Sequence, residues 1–170
     1  KDRLNIMKWR NEQMYHLRQS EELTEKSQED YFNNTIAQLF NIEQPSQLLF
    51  SLLKHNELIG YGGLVHINWK EKIAEVSFIM NTDLEEKEFD SNWSNYLTIL
   101  KEIAFNELNF NTIFTYAYNL RPQLYETLER NQFVIKETFK KKVEIDKKKV
   151  DVLIHECKNP IQLLKVRRCV

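Results

Sequence analysis

The stretch Ile73-Ala-Glu-Val-Ser-Phe-Ile-Met80 decides the fold, because it opens a strand, helix, strand order in the second half of the chain. Its β-prone and apolar residues predict a strand. After a polar stretch at 81–91, apolar residues from Trp93 to Leu108 recur at helical spacing and predict a long helix. A further strand is predicted at 112–118. Two strands joined through a helix in this way form a parallel pair with a right-handed crossover.

The elements around this unit predict antiparallel neighbours. Upstream, β-prone runs at 47–54 and 58–68 form a meander with the 73–80 strand, and the second run carries the chain's three glycines, Gly60, Gly62 and Gly63. Glycines clustered in one strand suggest a kink, a bulge or a close approach of another backbone. Downstream, runs at 133–145 and 150–157 predict a closing hairpin.

Four helices complete the predicted order. Two precede the sheet, at 4–11 and from Thr24 to about Asn41; the third is the crossover helix, and the fourth begins at Pro122, a residue that suits the first turn of a helix. We therefore predict an α+β fold with a mixed central sheet of six or seven strands flanked by about four helices. The first residue is Lys1, so we expect a few residues of a first strand to precede it.

Composition bounds the function. A length of 170 residues fits one domain, which we place at 1–158 with a C-terminal tail at 159–170. The formal net charge of −1 provides no field for nucleic acid. No apolar run approaches the ~18 residues of a membrane span. Cys157 and Cys169 have neither metal-ligand spacing nor a disulfide framework, so we expect a cytoplasmic protein without a metal site.

Three stretches of the chain carry a resemblance to a known family. They are Trp9-Arg10-Asn11, the 74–80 strand with the helix ending Lys101-Glu-Ile-Ala-Phe-Asn-Glu-Leu108, and the set Asn119, Tyr125-Glu and Asn131-Gln-Phe133. Together they resemble the GNAT superfamily of N-acetyltransferases. The first resembles the Trp-Arg-Asn of the branch that acetylates ribosomal-protein N-termini and nucleotide-linked amino sugars, including the pseudaminic acid pathway type. The second resembles the family's cofactor-binding core, and the third resembles the marks around its penultimate helix.

The resemblance implies acetyl-CoA as co-substrate, bound between two splayed central strands. Phe78, Ile79 and Met80 would pair with its pantetheine arm as an added strand would. The start of the next helix would bind the pyrophosphate, and this role falls to Ser91, Asn92, Trp93 and Ser94. The family places glycines at this turn because they let a backbone approach phosphate closely, whereas this stretch contains none.

The resemblance also implies catalytic roles. Tyr125 would protonate the departing thiolate, since a phenol is protonated at neutral pH. Glu75 would accept the amine's proton through water, with His66 on the preceding strand as the rival base. Asn119 would contact the pantetheine arm, but it lies one residue nearer Tyr125 than is usual in the family, which predicts a different loop geometry.

The acceptor is expected to be a primary amine on a small molecule. Arg10 and Asn11 lie on the acceptor side in related enzymes, and a nucleotide-linked amino sugar is the leading acceptor. The alternatives are a protein N-terminal amine, as in the ribosomal-protein type, and a non-catalytic binding module. We expect a monomer or a homodimer, for which the apolar tail residues Ile161, Leu163 and Leu164 could serve.

Overall fold

A six-stranded mixed sheet runs through the protein, in the order β1-β2-β3-β4-β6-β5. The computed structural model describes residues 2–145 and 147–160. Within them, the only parallel neighbours are β3 and β4. The predicted mixed α+β sheet is therefore confirmed, with six strands. Their bounds are β1 Leu48–Lys54, β2 Glu57–Asn68, β3 Ile73–Met80, β4 Thr112–Tyr118, β5 Val134–Ile145 and β6 Lys148–Lys158.

Helices cover both faces of the sheet, and their bounds are α1 Asp2–Glu12, α2 Glu25–Tyr31, α3 Ala37–Leu39, α4 Thr82–Lys101 and α5 Pro122–Arg130. A π-helical turn, Phe32–Ile36, joins α2 to α3, so these two elements form the single second helix that was predicted. Thr24 and Ser27 close a capping box at the start of α2. Pro122 lies in the first turn of α5, as predicted.

Helix α4 supplies the main core face. Its Trp93, Tyr96, Leu97 and Leu100 are buried against the even-numbered side chains of β3. The ring of Phe78 stacks on Tyr96 at 4.0 Å between centroids. Because burying each large apolar side chain contributes about 1.5–3 kcal/mol, this contact is a major source of stability. The odd-numbered side chains of β3, including Glu75 and Ser77, consequently lie on the opposite face.

The prediction that the crossover helix begins only after the polar stretch at 81–91 is wrong. Helix α4 begins at Thr82, directly after β3, and Asn81 caps it by accepting a hydrogen bond from the N–H of Asp83 at 3.1 Å. Asp83 and Glu85 in the first turn favour the helix because carboxylates interact well with its N-terminal dipole. The spacing of apolar residues does not reveal this part of the helix, because its first turns are largely polar.

The two central strands separate after a short shared ladder. Strands β3 and β4 pair only at Ile73–Thr112, Ala74–Ile113 and Glu75–Phe114. Beyond this point β3 continues to pair with β2 as far as Met80, while β4 continues to pair with β6 as far as Tyr118. Each strand follows its outer neighbour, so a gap opens between them. The prediction of splayed central strands is confirmed.

The remaining expectations concern membrane spans, location, domain bounds and oligomeric state. No helix in the described ranges has the length and apolarity needed to cross a bilayer. A cytoplasmic location, a single domain at 1–158 and a monomeric or dimeric state stay predictions. Ile161, Leu163 and Leu164, proposed as a dimer surface, lie outside the described residues.

The glycine cluster lies where two backbones approach closely. This was one of the three interpretations predicted from the sequence. A Cβ atom at Gly62 would lie 2.0 Å from the carbonyl oxygen of Ser77 on β3. At Gly60 the nearest obstruction is instead the ring of Phe78, at 2.5 Å, and the nearest backbone atom is 3.1 Å away. Gly62 therefore keeps β2 against the strand that borders the gap.

We expect Gly62→Ala to lower the free energy of unfolding by about 1–3 kcal/mol, because the added methyl group must displace a paired backbone. Gly60→Ala should cost less, since an aromatic ring can shift more easily than a strand. Urea denaturation of both variants measures the difference. A Gly62→Ala protein as stable as the unaltered protein would contradict the proposed role of this contact.

Candidate active site

Two connected cavities occupy the gap and the face of the sheet beside it. The first has a volume of about 460 Å³ and lies between β3 and β4, where it is lined by Glu75, Trp93, Thr115 and Arg121 among others. The second, of about 530 Å³, lies between β2, β3 and the helices α1 and α2. Both are lined by Arg10, Leu17, Arg18, His66, Ser77 and Phe78. The arrangement suits two substrates that meet at the split.

The edge of β3 offers free main-chain groups to the gap. The N–H of Asn81 donates to the carbonyl of Ile59 on β2 at 2.8 Å, and hydrogen-bonded residues alternate along an antiparallel pair. The even-numbered residues of β3 therefore turn their N–H and C=O groups toward β4. Phe78 presents both groups, whereas the carbonyl of Met80 accepts from Gln13 Nε2 at 2.9 Å.

Of the three residues predicted to pair with the pantetheine arm, Phe78 therefore borders the gap with both main-chain groups, and Met80 borders it with its N–H. Ile79 contributes its side chain to the second cavity, but its main-chain groups belong to the ladder with β2. On the opposite side of the gap, the same alternation turns the main-chain groups of Tyr116 and Tyr118 toward β3.

Glu75 lies where the shared ladder ends, and it is only 4% exposed. Its carboxylate accepts a hydrogen bond from Arg18, whose guanidinium lies 4.8 Å from the centre of the Tyr116 ring. Burial raises the pKa of Glu75, and the charges of Arg18 and His66 oppose this shift. A carboxylate with a raised pKa at the meeting point of two cavities is suited to accept a proton.

The two candidate bases lie next to each other. His66 Nε2 is 3.8 Å from Glu75 Oε2, although its side chain is 68% exposed. This proximity results from a bulge in β2: the register shifts between Val65 and Asn68, and His66 has a positive φ of 49°. Bulges redirect side chains in this way next to functional sites.

Tyr125 reaches the rim of the gap from α5. Its hydroxyl donates to the carbonyl of Tyr118 at 2.6 Å and accepts from the N–H of Leu120 at 3.2 Å. Its ring stacks on the buried His155 at 5.4 Å. Burial raises the pKa of Tyr125, so the phenol keeps its proton at neutral pH. The hydroxyl therefore lies beside a carbonyl that faces the gap.

The residues predicted to bind pyrophosphate do not lie at a helix start. Ser91, Asn92, Trp93 and Ser94 are inside α4, more than two turns after its first residue, Thr82. Their main-chain N–H groups are used within the helix, so the basis for that prediction fails. Trp93 still lines the first cavity through its side chain.

Two other predicted contacts have different surroundings. Asn119 is exposed, and its N–H donates to the carbonyl of Asp151 at 2.9 Å on the side away from the gap. Tyr118 therefore borders the gap where Asn119 was expected. Asn11 holds the following loop at Leu23. Its Nδ2 donates to the carbonyl of Leu23, and its Oδ1 accepts from the N–H of Leu23, both at 2.8 Å. Of the acceptor-side pair, only Arg10 lines the cavities.

Sequence reasoning missed Arg18 and Arg121. Arg18 follows α1 in a stretch without periodicity and offered no signal. Arg121 immediately precedes Pro122 as the N-cap of α5, although arginine is not a favoured capping residue. A long basic residue at an N-cap position therefore indicated that Arg121 has a role other than capping the helix.

The first cavity fits a long polar ligand. Among the described residues, six buried side-chain polar atoms lack a hydrogen-bond partner, and three of the residues that carry them line this cavity. These atoms are Trp93 Nε1, Thr115 Oγ1 and Arg121 Nε. Buried polar groups are normally paired, so these atoms suit the amide and phosphate groups of acetyl-CoA.

Comparisons with known proteins agree with this geometry. Solved structures of spermidine N-acetyltransferase from Vibrio cholerae are similar at 19% identity. The one in complex with CoA and spermine has a TM-score of 0.79 over 95% of this chain and 92% of that chain. Mutant forms of the spermidine/spermine enzyme from the same organism score 0.77 over 97% and 92%. A dodecameric form in an intermediate state scores 0.75 over 96% and 92%.

At this identity the structural similarity shows the fold alone. No curated protein sequence matches the chain. The family profile described as acetyltransferase (GNAT) domain, however, matches residues 1–154, which is most of the chain. With the splayed strands and the cavity between them, this match leads to one conclusion: the chain belongs to the GNAT acetyltransferase family and is an acetyl-CoA-dependent N-acetyltransferase.

Proposed function

We propose that the enzyme acetylates the primary amine of a small acceptor that also carries an anionic group, and that this acceptor is a nucleotide-linked amino sugar. The observation that carries the proposal is the charge of the second cavity. Its lining includes Arg10, Arg18 and His66, and no Asp or Glu of the described residues is part of it. Arg18 is paired with Glu75, which leaves Arg10 as the cation available to an acceptor.

Arg10 is positioned to bind a phosphate. It is half-buried, and its Nε donates to Gln19 at 3.0 Å, which orients the guanidinium without neutralising it. Burial lowers the pKa of Arg10, yet an arginine stays charged in proteins. A planar guanidinium binds phosphate through paired hydrogen bonds.

Aromatic side chains on the same cavity suit a nucleobase. Tyr31, Phe32 and Tyr61 line it, and the rings of Phe32 and Tyr61 lie 6.0 Å apart. Burial raises the pKa of Tyr61 to about 12, so its hydroxyl remains a hydrogen-bond donor. A flat base can stack on such rings while its diphosphate approaches Arg10.

The same charges disfavour a polyamine, the substrate named for the similar Vibrio enzymes. A polyamine carries several positive charges and needs carboxylates around it. Here its approach would meet arginines in both cavities, and the one carboxylate at the split, Glu75, is already paired. Like charges in a partly buried site oppose binding.

The chemistry at the split follows from Glu75 and Tyr125. Acetyl-CoA supplies the acetyl thioester when it is bound. Glu75 accepts a proton from the acceptor's ammonium group through water, because only the neutral amine can attack. Arg18 orients the Glu75 carboxylate, and Tyr125 holds a proton at Oη beside the carbonyl of Tyr118.

We expect Tyr125→Phe to lower kcat by about 10²–10⁴-fold, the usual contribution of a positioned acid, while leaving the affinity for CoA unchanged. Steady-state kinetics and calorimetry with CoA measure the two effects separately. Tyr15→Phe is the control, because it removes a phenol that is 49% exposed, whereas the Tyr125 hydroxyl is hydrogen-bonded to the carbonyl of Tyr118 at the end of β4. Unchanged turnover would remove Tyr125 from the mechanism.

We expect Glu75→Gln to lower kcat/KM by about 10²-fold or more and His66→Gln to lower it much less. Glu75 must be deprotonated to act, and its raised pKa means that activity falls with decreasing pH at a higher pH than for an ordinary carboxyl group. The pH profile of kcat/KM should therefore lose its acid limb only in Glu75→Gln. Loss of that limb in His66→Gln alone would assign the base to histidine.

The acceptor is tested by comparing kcat/KM for a nucleotide-linked amino sugar, spermine and a peptide with a free N-terminus. We expect the sugar nucleotide to be preferred, and Arg10→Gln to raise its KM by about tenfold or more. Arg3→Gln is the matched control, because Arg3 lies on the same helix and pairs with Glu29.

Preference for spermine or for the peptide would overturn the anionic acceptor. If calorimetry with millimolar CoA shows no heat of binding, the result would instead indicate a binding module without turnover.

A further inference from the structure

Two helices begin at the open end of the gap. Because β3 and β4 are parallel, their C-terminal ends lie at the same edge of the sheet, and α4 and α5 start directly after them. Asn81 caps α4 and Arg121 occupies the N-cap position of α5. Each helix start carries a partial positive charge. This edge therefore favours anions.

Arg121 joins the two helix starts. It is 4% exposed and lines the first cavity, and its Nη2 donates to Glu85 Oε1 on α4 at 2.5 Å. Its guanidinium lies 4.8 Å from the centre of the Phe89 ring. Arg121 Nε is buried and has no partner among the described residues. A guanidinium has five N–H donors, so this side chain has capacity beyond one carboxylate.

Glu85 is the one carboxylate that contacts Arg121 in the described structure. Burial raises the pKa of Glu85, although the charge of Arg121 opposes the shift, so the pair is held at a cost in desolvation. His16 Nε2 lies 3.0 Å from Arg121 Nη1. Burial and the arginine lower the pKa of His16 to about 3, so the ring is neutral and does not compete for anions.

We propose that Arg121 binds the diphosphate of acetyl-CoA in place of the absent glycine-rich turn, and that Glu85 occupies this anion site until the diphosphate displaces it. The exchange is non-covalent. The diphosphate replaces one carboxylate on the guanidinium and gains Arg121 Nε and the two helix starts. Glu85 is only partly buried, with its side chain 18% exposed, so its carboxylate can turn toward water.

Calorimetry with inorganic pyrophosphate, CoA and pantetheine tests this exchange. In Glu85→Gln the affinity for pyrophosphate and CoA should rise by about three- to tenfold, because a charged competitor is removed from the helix start. In Arg121→Gln it should fall by about tenfold or more. Pantetheine lacks the diphosphate, so its affinity should change in neither variant.

Asp83→Asn is the matched control. It removes the same charge from the same first turn of α4, but Asp83 is exposed and does not contact Arg121. A rise in Asp83→Asn equal to that in Glu85→Gln would show a general charge effect and overturn the exchange. Equal losses of CoA and pantetheine affinity in Arg121→Gln would show a structural role for the arginine and would also overturn it.

If Arg121→Gln fails to fold, as judged by circular dichroism, the carboxylate variants decide alone. A pyrophosphate affinity in Glu85→Gln that matches the unaltered protein would then refute the proposal. None of these measurements involves an acceptor, so their outcome is independent of the proposed acceptor class.

Discussion

The hydrogen-bond ladder between β3 and β4 stops at Glu75 and Phe114, and the active site depends on this interruption. Each strand keeps its outer partner, so the sheet stays intact while one internal edge is unpaired. Unpaired main-chain groups inside a protein need partners. A ligand with alternating amide donors and acceptors can supply them, as a further strand would. The same interruption places Glu75 at the apex of the gap, where it lines the first cavity.

The positive charges of the site have separate places and separate partners. Arg18 pairs with Glu75, and Arg121 connects the starts of α4 and α5. Arg10 lies on the acceptor side and forms no ion pair with a carboxylate of the described residues. A glycine-rich turn binds phosphate through its backbone, which requires close approach. The proposed exchange at Arg121 would let a buried side chain bind the diphosphate in a chain that has no glycine after β3.

Local periodicity predicted most elements, and its one clear error concerned the start of α4. The polar residues 81–91 concealed more than two turns of helix, because the core contacts of α4 are concentrated from Phe89 onward. That error moved the expected phosphate contacts to Ser91, Asn92, Trp93 and Ser94. The changed loop expected from the one-residue offset at Asn119 stays a prediction; in the structure it is the carbonyl of Tyr118 that accepts from the Tyr125 hydroxyl. Asn11 was assigned to the acceptor, although its amide is used to hold the loop at Leu23.

The sequence by itself determined the order of strands and helices, because the burial pattern of each element is encoded by residues that are neighbours along the chain. It also determined the family, through short motifs around Trp9, Tyr125 and the crossover helix. Only the tertiary structure decided which side chains meet at the site. Arg18 pairs with Glu75 across 57 positions and Arg121 with Glu85 across 36. Contacts between residues so far apart depend on how the splayed sheet and its helices pack, and no local pattern encodes that packing.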